Sequence, residues 1–246
     1  MHTITVGGHS VSWSDTARLW QYLKMQRAVI DTTSANSSRL DGVGIELSGL
    51  LSDNVQAFYS HQWDKLCEIG VYDGLPENPR VLDVGSGVGF IDVAAYQYLG
   101  GAAKFFLLDR DSLQSPDSDY SEDYTFYHSW ATTRDVLASS GIAYPGAFVL
   151  LDQGQTRLWP GDLDLITSYA SWCWHYPLST YWTQALASLK IGGRLVLEIS
   201  TEPVRPVGAE TTEQVIDRIS DDLGSRPVIR FPMSPNGLRC VWIRAE

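Results

Sequence analysis

Apolar and polar positions divide the chain into two zones. From residue 80 to 246, short apolar runs alternate with segments of helical period. The runs cover 80–84, 104–108, 147–151, 163–168, 194–199, 227–231 and 238–243, and the spacing between them predicts helices over 89–99, 129–139, 178–190 and 212–223. Strands interleaved with helices predict an α/β fold, a doubly wound and mostly parallel sheet with helices on both faces. The last two runs, with Pro232, Pro235 and Gly237 turning between them, predict an antiparallel strand at or near the sheet edge. Residues 1–78 read as helical and connective, an N-terminal helical cap or lid ahead of a domain over 79–246. In this zone Ser14 or Asp15 caps a helix over 16–30 with Leu19, Trp20, Leu23 and Val29 on one side. After a polar stretch, Ser52 or Asp53 caps a second helix. Its apolar Val55, Phe58, Tyr59, Leu66 and Ile69 fall at helical spacing, and Gly70 stops it.

Charge narrows the function classes. The 246 residues carry 18 basic and 29 acidic side chains, a net charge of −11. Such a surface repels phosphate backbones, so no nucleic-acid partner is expected. No apolar stretch is long enough for a bilayer, and residues 1–10 show no basic and apolar secretory pattern, so a cytoplasmic protein is expected without a membrane partner. Cys67, Cys173 and Cys240 lie far apart, which argues against a disulfide framework and against a thiolate zinc site.

The first strand runs into a glycine turn, Val81-Leu82-Asp83-Val84-Gly85-Ser86-Gly87-Val88-Gly89-Phe90. Glycines there let backbone amides approach a ligand at the switch point of an open sheet. A dinucleotide fingerprint needs a small residue where Phe90 stands, and the phosphate-loop pattern is absent. Asp83, just below the turn, suits a ligand with a cationic group. Asp109 ends the next run, where a carboxylate accepts both hydroxyls of a ribose. Together these residues establish a nucleoside-type site.

With those residues in place, the chain resembles the class I S-adenosylmethionine-dependent methyltransferases, a Rossmann-like fold, over about residues 80–200. The glycine turn resembles their motif I, Asp109 the acidic end of their second strand, and Phe148-Val-Leu-Leu-Asp-Gln153 the adenine side after their third. Asp164-Leu-Ile-Thr-Ser168 is similar to the fourth-strand motif. Leu189-Lys-Ile-Gly-Gly-Arg-Leu-Val-Leu-Glu198 is similar to "LKPGGxLVLE", with Ile191 in place of Pro. The resemblance implies S-adenosylmethionine as cofactor and S-adenosylhomocysteine as product. It puts the methionine end over Gly85, Ser86, Gly87 and Gly89, the ribose on Asp109 beside Arg110, and the adenine at Asp152 or Gln153. Asp83 and Tyr169 belong to the same cofactor side. Asp92 and Asp111 have no counterpart and read as solvated, while Asp162 and Asp164 fall at the far end of the fourth strand. No metal cluster is apparent.

From Tyr169 to Trp182, six of 14 residues are aromatic, against 11% of the chain. The segment follows the fourth strand and so faces the transferable methyl. Trp172, Trp174 and Tyr176 are the expected acceptor-side rings, with Trp182 a core plug. Methyl transfer to a hydroxyl needs a base, and His175 is the candidate. His61 on the second helix is the runner-up, placed on the acceptor side, and His128 reads as structural. No cysteine has the neighbours of a nucleophile. The segment Ser168-Tyr-Ala-Ser-Trp-Cys-Trp-His-Tyr-Pro177 is similar to the "SxxSWxxHYPxxTY" of bacterial sugar O-methyltransferases. Cys173 and Trp174 stand where that group tends to have Gly and Phe. The expected reaction is O-methylation of a sugar or other small hydroxyl-bearing acceptor. Two rivals stay open: an N-methyltransferase on a small amine or protein side chain, and a non-catalytic S-adenosylmethionine-binding protein. An NAD oxidoreductase ranks third.

Overall fold

The computed structural model describes residues 1–14, 46–109, 112–113, 127–152, 159–169, 171–174, 176–201, 210–234 and 237–246. The helix expected over 16–30, Arg110, Asp111, Gln153 and His175 lie outside the described residues. In chain order the elements are β1 (His2–Val6), β2 (His9–Trp13), α1 (Glu46–Glu68), β3 (Arg80–Val84), α2 (Phe90–Tyr98), β4 (Lys104–Asp109), β5 (Ser112–Leu113), β6 (Tyr127–His128) and α3 (Trp130–Ser139). There follow β7 (Phe148–Asp152), β8 (Leu163–Ser168), a 3-10 turn (Leu178–Thr180), α4 (Trp182–Ser188), β9 (Leu189–Ser200), α5 (Thr212–Leu223), β10 (Ile229–Ser234) and β11 (Gly237–Ile243). They form two units. One comprises Met1–Glu68, Gly87–Tyr98 and Arg110–Tyr144, the other Ile69–Ser86, Leu99–Asp109 and Pro145–Glu246.

The first unit opens with a hairpin where the sequence reading expected helix and connection. Its cause is local. Ile4, Val6, Val11 and Trp13 alternate with polar residues and are buried, and the two strands pair antiparallel through Gly7 and Gly8. Both glycines have positive φ, 58° and 84°, as a two-residue hairpin turn of this hand requires. A Cβ on Gly7 would overlap the Trp63 indole of α1. Trp13 packs on Phe90 of α2 with centroids 5.6 Å apart, and Tyr59 of α1 meets Phe90 edge-on at 4.8 Å. The Ser12 amide donates to Ser140 Oγ at 2.9 Å, and the Ser14 amide to Asp135 Oδ2 of α3 at 2.8 Å. Helix α1 starts at Glu46, so Ser52 and Asp53 lie within it rather than capping it; it ends just before Gly70, whose φ is 61°.

The second unit holds the sheet, in the order β10-β11-β9-β8-β3-β4-β7. Strands β7, β4, β3, β8 and β9 are mutually parallel. Strand β11 is antiparallel to both neighbours and lies one place in from the edge. The expected mostly parallel sheet with an antiparallel strand near its edge is found. Leu82, Val84, Phe106, Leu108, Ile166, Leu195 and Leu197 form an apolar layer with Trp182 and Ala185 of α4 and Val215, Ile216, Ile219 and Leu223 of α5. Burying each valine, leucine, isoleucine or phenylalanine of this layer contributes about 1.5–3 kcal/mol. Trp182 is a core plug as expected, with its indole N–H donating to Asp222 of α5 at 2.5 Å.

Two segments differ from expectation in length. The helix expected over 178–190 is a 3-10 turn followed by the seven-residue α4. By Leu189 the chain is already strand, since Leu189 pairs with Leu163 across an irregular register, and Gly192 takes φ 75°. Pro232 falls inside β10 rather than in the turn, a position open to proline because β10 is an edge strand. Among the described residues no helix is long and apolar enough to cross a membrane.

Candidate functional site

Parallel strands bring their carboxyl ends to one edge of the sheet. From β3 the chain steps to β4 on one side and later to β8 on the other, so a switch point lies between β3 and β8. The glycine turn leaves β3 there. Gly85 has φ 78°, and its amide donates to Leu108 O of β4 at 2.7 Å. A Cβ on Gly85 would overlap the Ser171 side chain, so glycine is required for conformation and for space. Gly87 and Gly89, with φ 55° and 79°, belong to the first unit, where Thr133 Oγ1 of α3 donates to Gly87 O at 3.3 Å.

Asp109 and Asp152 close β4 and β7. They are register partners and both half-buried, so two carboxylates stand side by side one strand away from the turn. Asp83 is buried and accepts a hydrogen bond from Thr167 Oγ1 of β8 at 3.0 Å. It therefore lies within the sheet at the switch point. Asp92, expected to be solvated, is buried in the first turn of α2, where a helix start favours negative charge.

The segment after β8 is tied down at several points. Ser168 Oγ donates to Val84 O at 2.7 Å and accepts from the Trp172 amide at 2.9 Å, which bridges the switch point. Trp172 is fully enclosed. Its indole N–H is shared between Leu178 O at 3.1 Å and Pro177 O at 3.2 Å, so this ring, expected on the acceptor side, is a plug beneath the segment. Cys173 has φ 67°, a left-handed conformation; its amide donates to Tyr176 O at 2.9 Å and its carbonyl accepts from the Ser200 amide of β9 at 3.4 Å. Glycine is the residue this conformation prefers. Burial, with Glu210 adding to it, pushes the Cys173 thiol well up, so it stays protonated and is no nucleophile.

Among the described residues, Ser86 Oγ and Trp174 Nε1 are enclosed polar atoms without a hydrogen-bond partner. Leaving such a group unsatisfied costs about 1–3 kcal/mol, a cost removed by a ligand that pairs with it. Trp174 and Tyr176 are half-buried, and Tyr176 meets Tyr181 edge-on at 6.2 Å. Tyr169 is half-buried, with its hydroxyl 3.5 Å from that of Tyr72 and its ring 4.9 Å from the Arg239 guanidinium carbon. His61 is exposed on α1 in the first unit. Asp164 sits at the amino end of β8, where it accepts from the Arg80 amide at 2.9 Å and pairs with Lys190 at 2.7 Å. Among the described residues no group of His, Cys, Asp or Glu is arranged to hold a metal ion. Sequence reasoning missed Ser171, Tyr72 and Arg239; a charged Arg239 in the apolar run 238–243 was the one visible signal.

The magnesium protoporphyrin IX methyltransferase of Synechocystis PCC 6803, solved with bound S-adenosylmethionine, is similar over 91% of this chain and 97% of its own, at 15% identity and a TM-score of 0.52. The fold is a Rossmann-like methyltransferase fold. A methyltransferase dependent on S-adenosylmethionine from Aquifex aeolicus is 17% identical, with 74% and 88% of the two chains covered and a TM-score of 0.48. Mitomycin 7-O-methyltransferase is also 17% identical, with 93% and 67% covered and a TM-score of 0.48. No family model matches the chain, and no curated protein matches its sequence. In this methyltransferase fold Gly85, the register-paired Asp109 and Asp152, and Tyr169 lie at the carboxyl edge of the sheet.

Proposed function

We propose that the protein is an S-adenosylmethionine-dependent methyltransferase acting on an oxygen of a sugar or other small hydroxyl-bearing acceptor. The observation that carries this reading is the switch point itself, a glycine turn beside the register-paired Asp109 and Asp152. The residues fit such a cofactor. Asp109 would accept the ribose hydroxyls with Arg110 beside it, and Asp152 with Gln153 would face the adenine amine. The amides of Gly85, Ser86, Gly87 and Gly89 would receive the methionine end, and the orphaned Ser86 Oγ is a polar group awaiting a partner there. Asp83 offers negative charge behind the turn, and Tyr169 lies at the end of β8.

When bound, the cofactor supplies an electrophilic methyl on a positively charged sulfur. His175 would take the proton from the attacking hydroxyl, while Trp174 and Tyr176 orient the acceptor. Calorimetric titration with S-adenosylmethionine and S-adenosylhomocysteine, with NAD and ATP as controls, tests the cofactor. Both sulfur nucleosides should bind and Asp109→Ala should abolish binding; a folded protein that binds neither ends this reading. With an acceptor in hand, His175→Ala should lower kcat by about 10²–10⁴-fold for a hydroxyl acceptor. An unchanged rate would point to an amine acceptor instead.

A further inference from the structure

Three neighbouring strands bring Tyr169, Glu198 and Arg239 into one row. Arg239 of β11 is the register partner of Glu198 of β9, and Ser168 of β8 pairs with Leu197, which stands Tyr169 beside Glu198. Arg239 is fully buried, and its Nη2 donates to Glu198 Oε2 at 2.9 Å. The guanidinium carbon lies 4.9 Å from the centre of the Tyr169 ring, a cation over an aromatic face. Beyond that ring, the Tyr169 hydroxyl reaches the Tyr72 hydroxyl at 3.5 Å. Tyr72 is itself held, because Arg194 donates from Nη1 to Gly70 O at 2.8 Å and from Nη2 to Asp73 O at 2.9 Å.

An ion pair at this depth is a poor device for stability. Removing both charges from water costs as much as their attraction returns, and an apolar pair of similar volume serves a sheet as well or better. Neighbouring strand positions here are filled in that way, by Val196 paired with Val241. What the pair does that two apolar residues could not is hold a ring by its face. That ring belongs to the first residue after β8, in the segment that carries Ser171 onto Gly85 and bears Trp174.

We propose that Glu198 and Arg239 form a positioning pair that fixes Tyr169, and through it the segment after β8, against the glycine turn. Glu198 orients the guanidinium, the guanidinium orients the ring, and the ring sets where the backbone leaves β8. Ser168 anchors the same segment to β3 from the other side. That the ordered segment serves methyl transfer rests on the proposed function; that the pair orders it does not.

The test compares Glu198→Leu/Arg239→Met, Tyr169→Leu and Tyr169→Phe with the parent protein. The readouts are melting temperature, amide hydrogen exchange of peptides covering 169–176 and affinity for S-adenosylhomocysteine. The double variant should melt within a few degrees of the parent, yet exchange in 169–176 should speed by about tenfold or more, with a loss of about tenfold or more in affinity. Tyr169→Leu should reproduce both effects and add nothing to the double variant. Tyr169→Phe, which keeps the ring over the guanidinium, should hold exchange near the parent's. Unchanged exchange in a folded double variant, or in Tyr169→Leu, overturns the proposal. If the double variant fails to fold, the contrast between Tyr169→Leu and Tyr169→Phe decides alone. A parent protein that binds no S-adenosylhomocysteine defeats the functional reading, while the exchange data still decide the role of the pair.

Discussion

Cys173 carries two opposing effects at one position. Its left-handed backbone costs an L-residue about 1–2 kcal/mol, which glycine would not bear. Its side chain is buried, and removing it forfeits about 1 kcal/mol of apolar contact and adds backbone freedom to the unfolded chain. Cys173→Gly should therefore lie within about 1 kcal/mol of the parent in urea unfolding. Cys173→Val, branched at a φ of 67°, should lose about 2 kcal/mol or more. An equal stability for the Val variant would show that the turn relaxes away from this conformation. The glycines at 85, 87 and 89 were legible in the sequence because the chemistry of such a turn is local. The Glu198–Arg239 pair was not, because its partners stand 41 residues apart and meet only through the register of β9 and β11.

At the scale of elements, the parallel strands announce themselves as unbroken apolar runs because both of their faces are covered. Helix α5 was equally plain, with Thr211 and Gln214 forming a capping box and Gly224 closing the far end at φ 66°. The hairpin has a signal of its own, two alternating runs around Gly7-Gly8, but runs this short are weak against the helical period that follows. It is no ornament, since Trp13 is buried against Phe90. Trp13→Ala should cost about 3–5 kcal/mol, read as a drop in the denaturant midpoint. A loss below about 1 kcal/mol would mark the hairpin as peripheral to its unit. The full length of β9 is hidden for a different reason. Gly192 and Gly193 interrupt the apolar run, and the strand continues through them only because Gly193 O accepts from the Arg244 amide and Arg244 O from the Gly192 amide. That pairing lies far along the chain.

For the whole molecule, the class of fold was legible because alternation of strand and helix survives any local error. The division into units was not, because the chain passes between them after Glu68, Ser86, Tyr98, Asp109 and Tyr144. Neither unit is a continuous stretch of sequence. The hairpin makes the consequence concrete, since the Ser12 amide waits for Ser140 Oγ, 128 residues later. During synthesis the first unit has no complete core until Tyr144 has left the ribosome, and the sheet lacks β11 until the chain is nearly finished. Contacts of such long range close slowly. The nascent chain must therefore carry the hairpin's tryptophan face uncovered until Phe90 of α2 has been made.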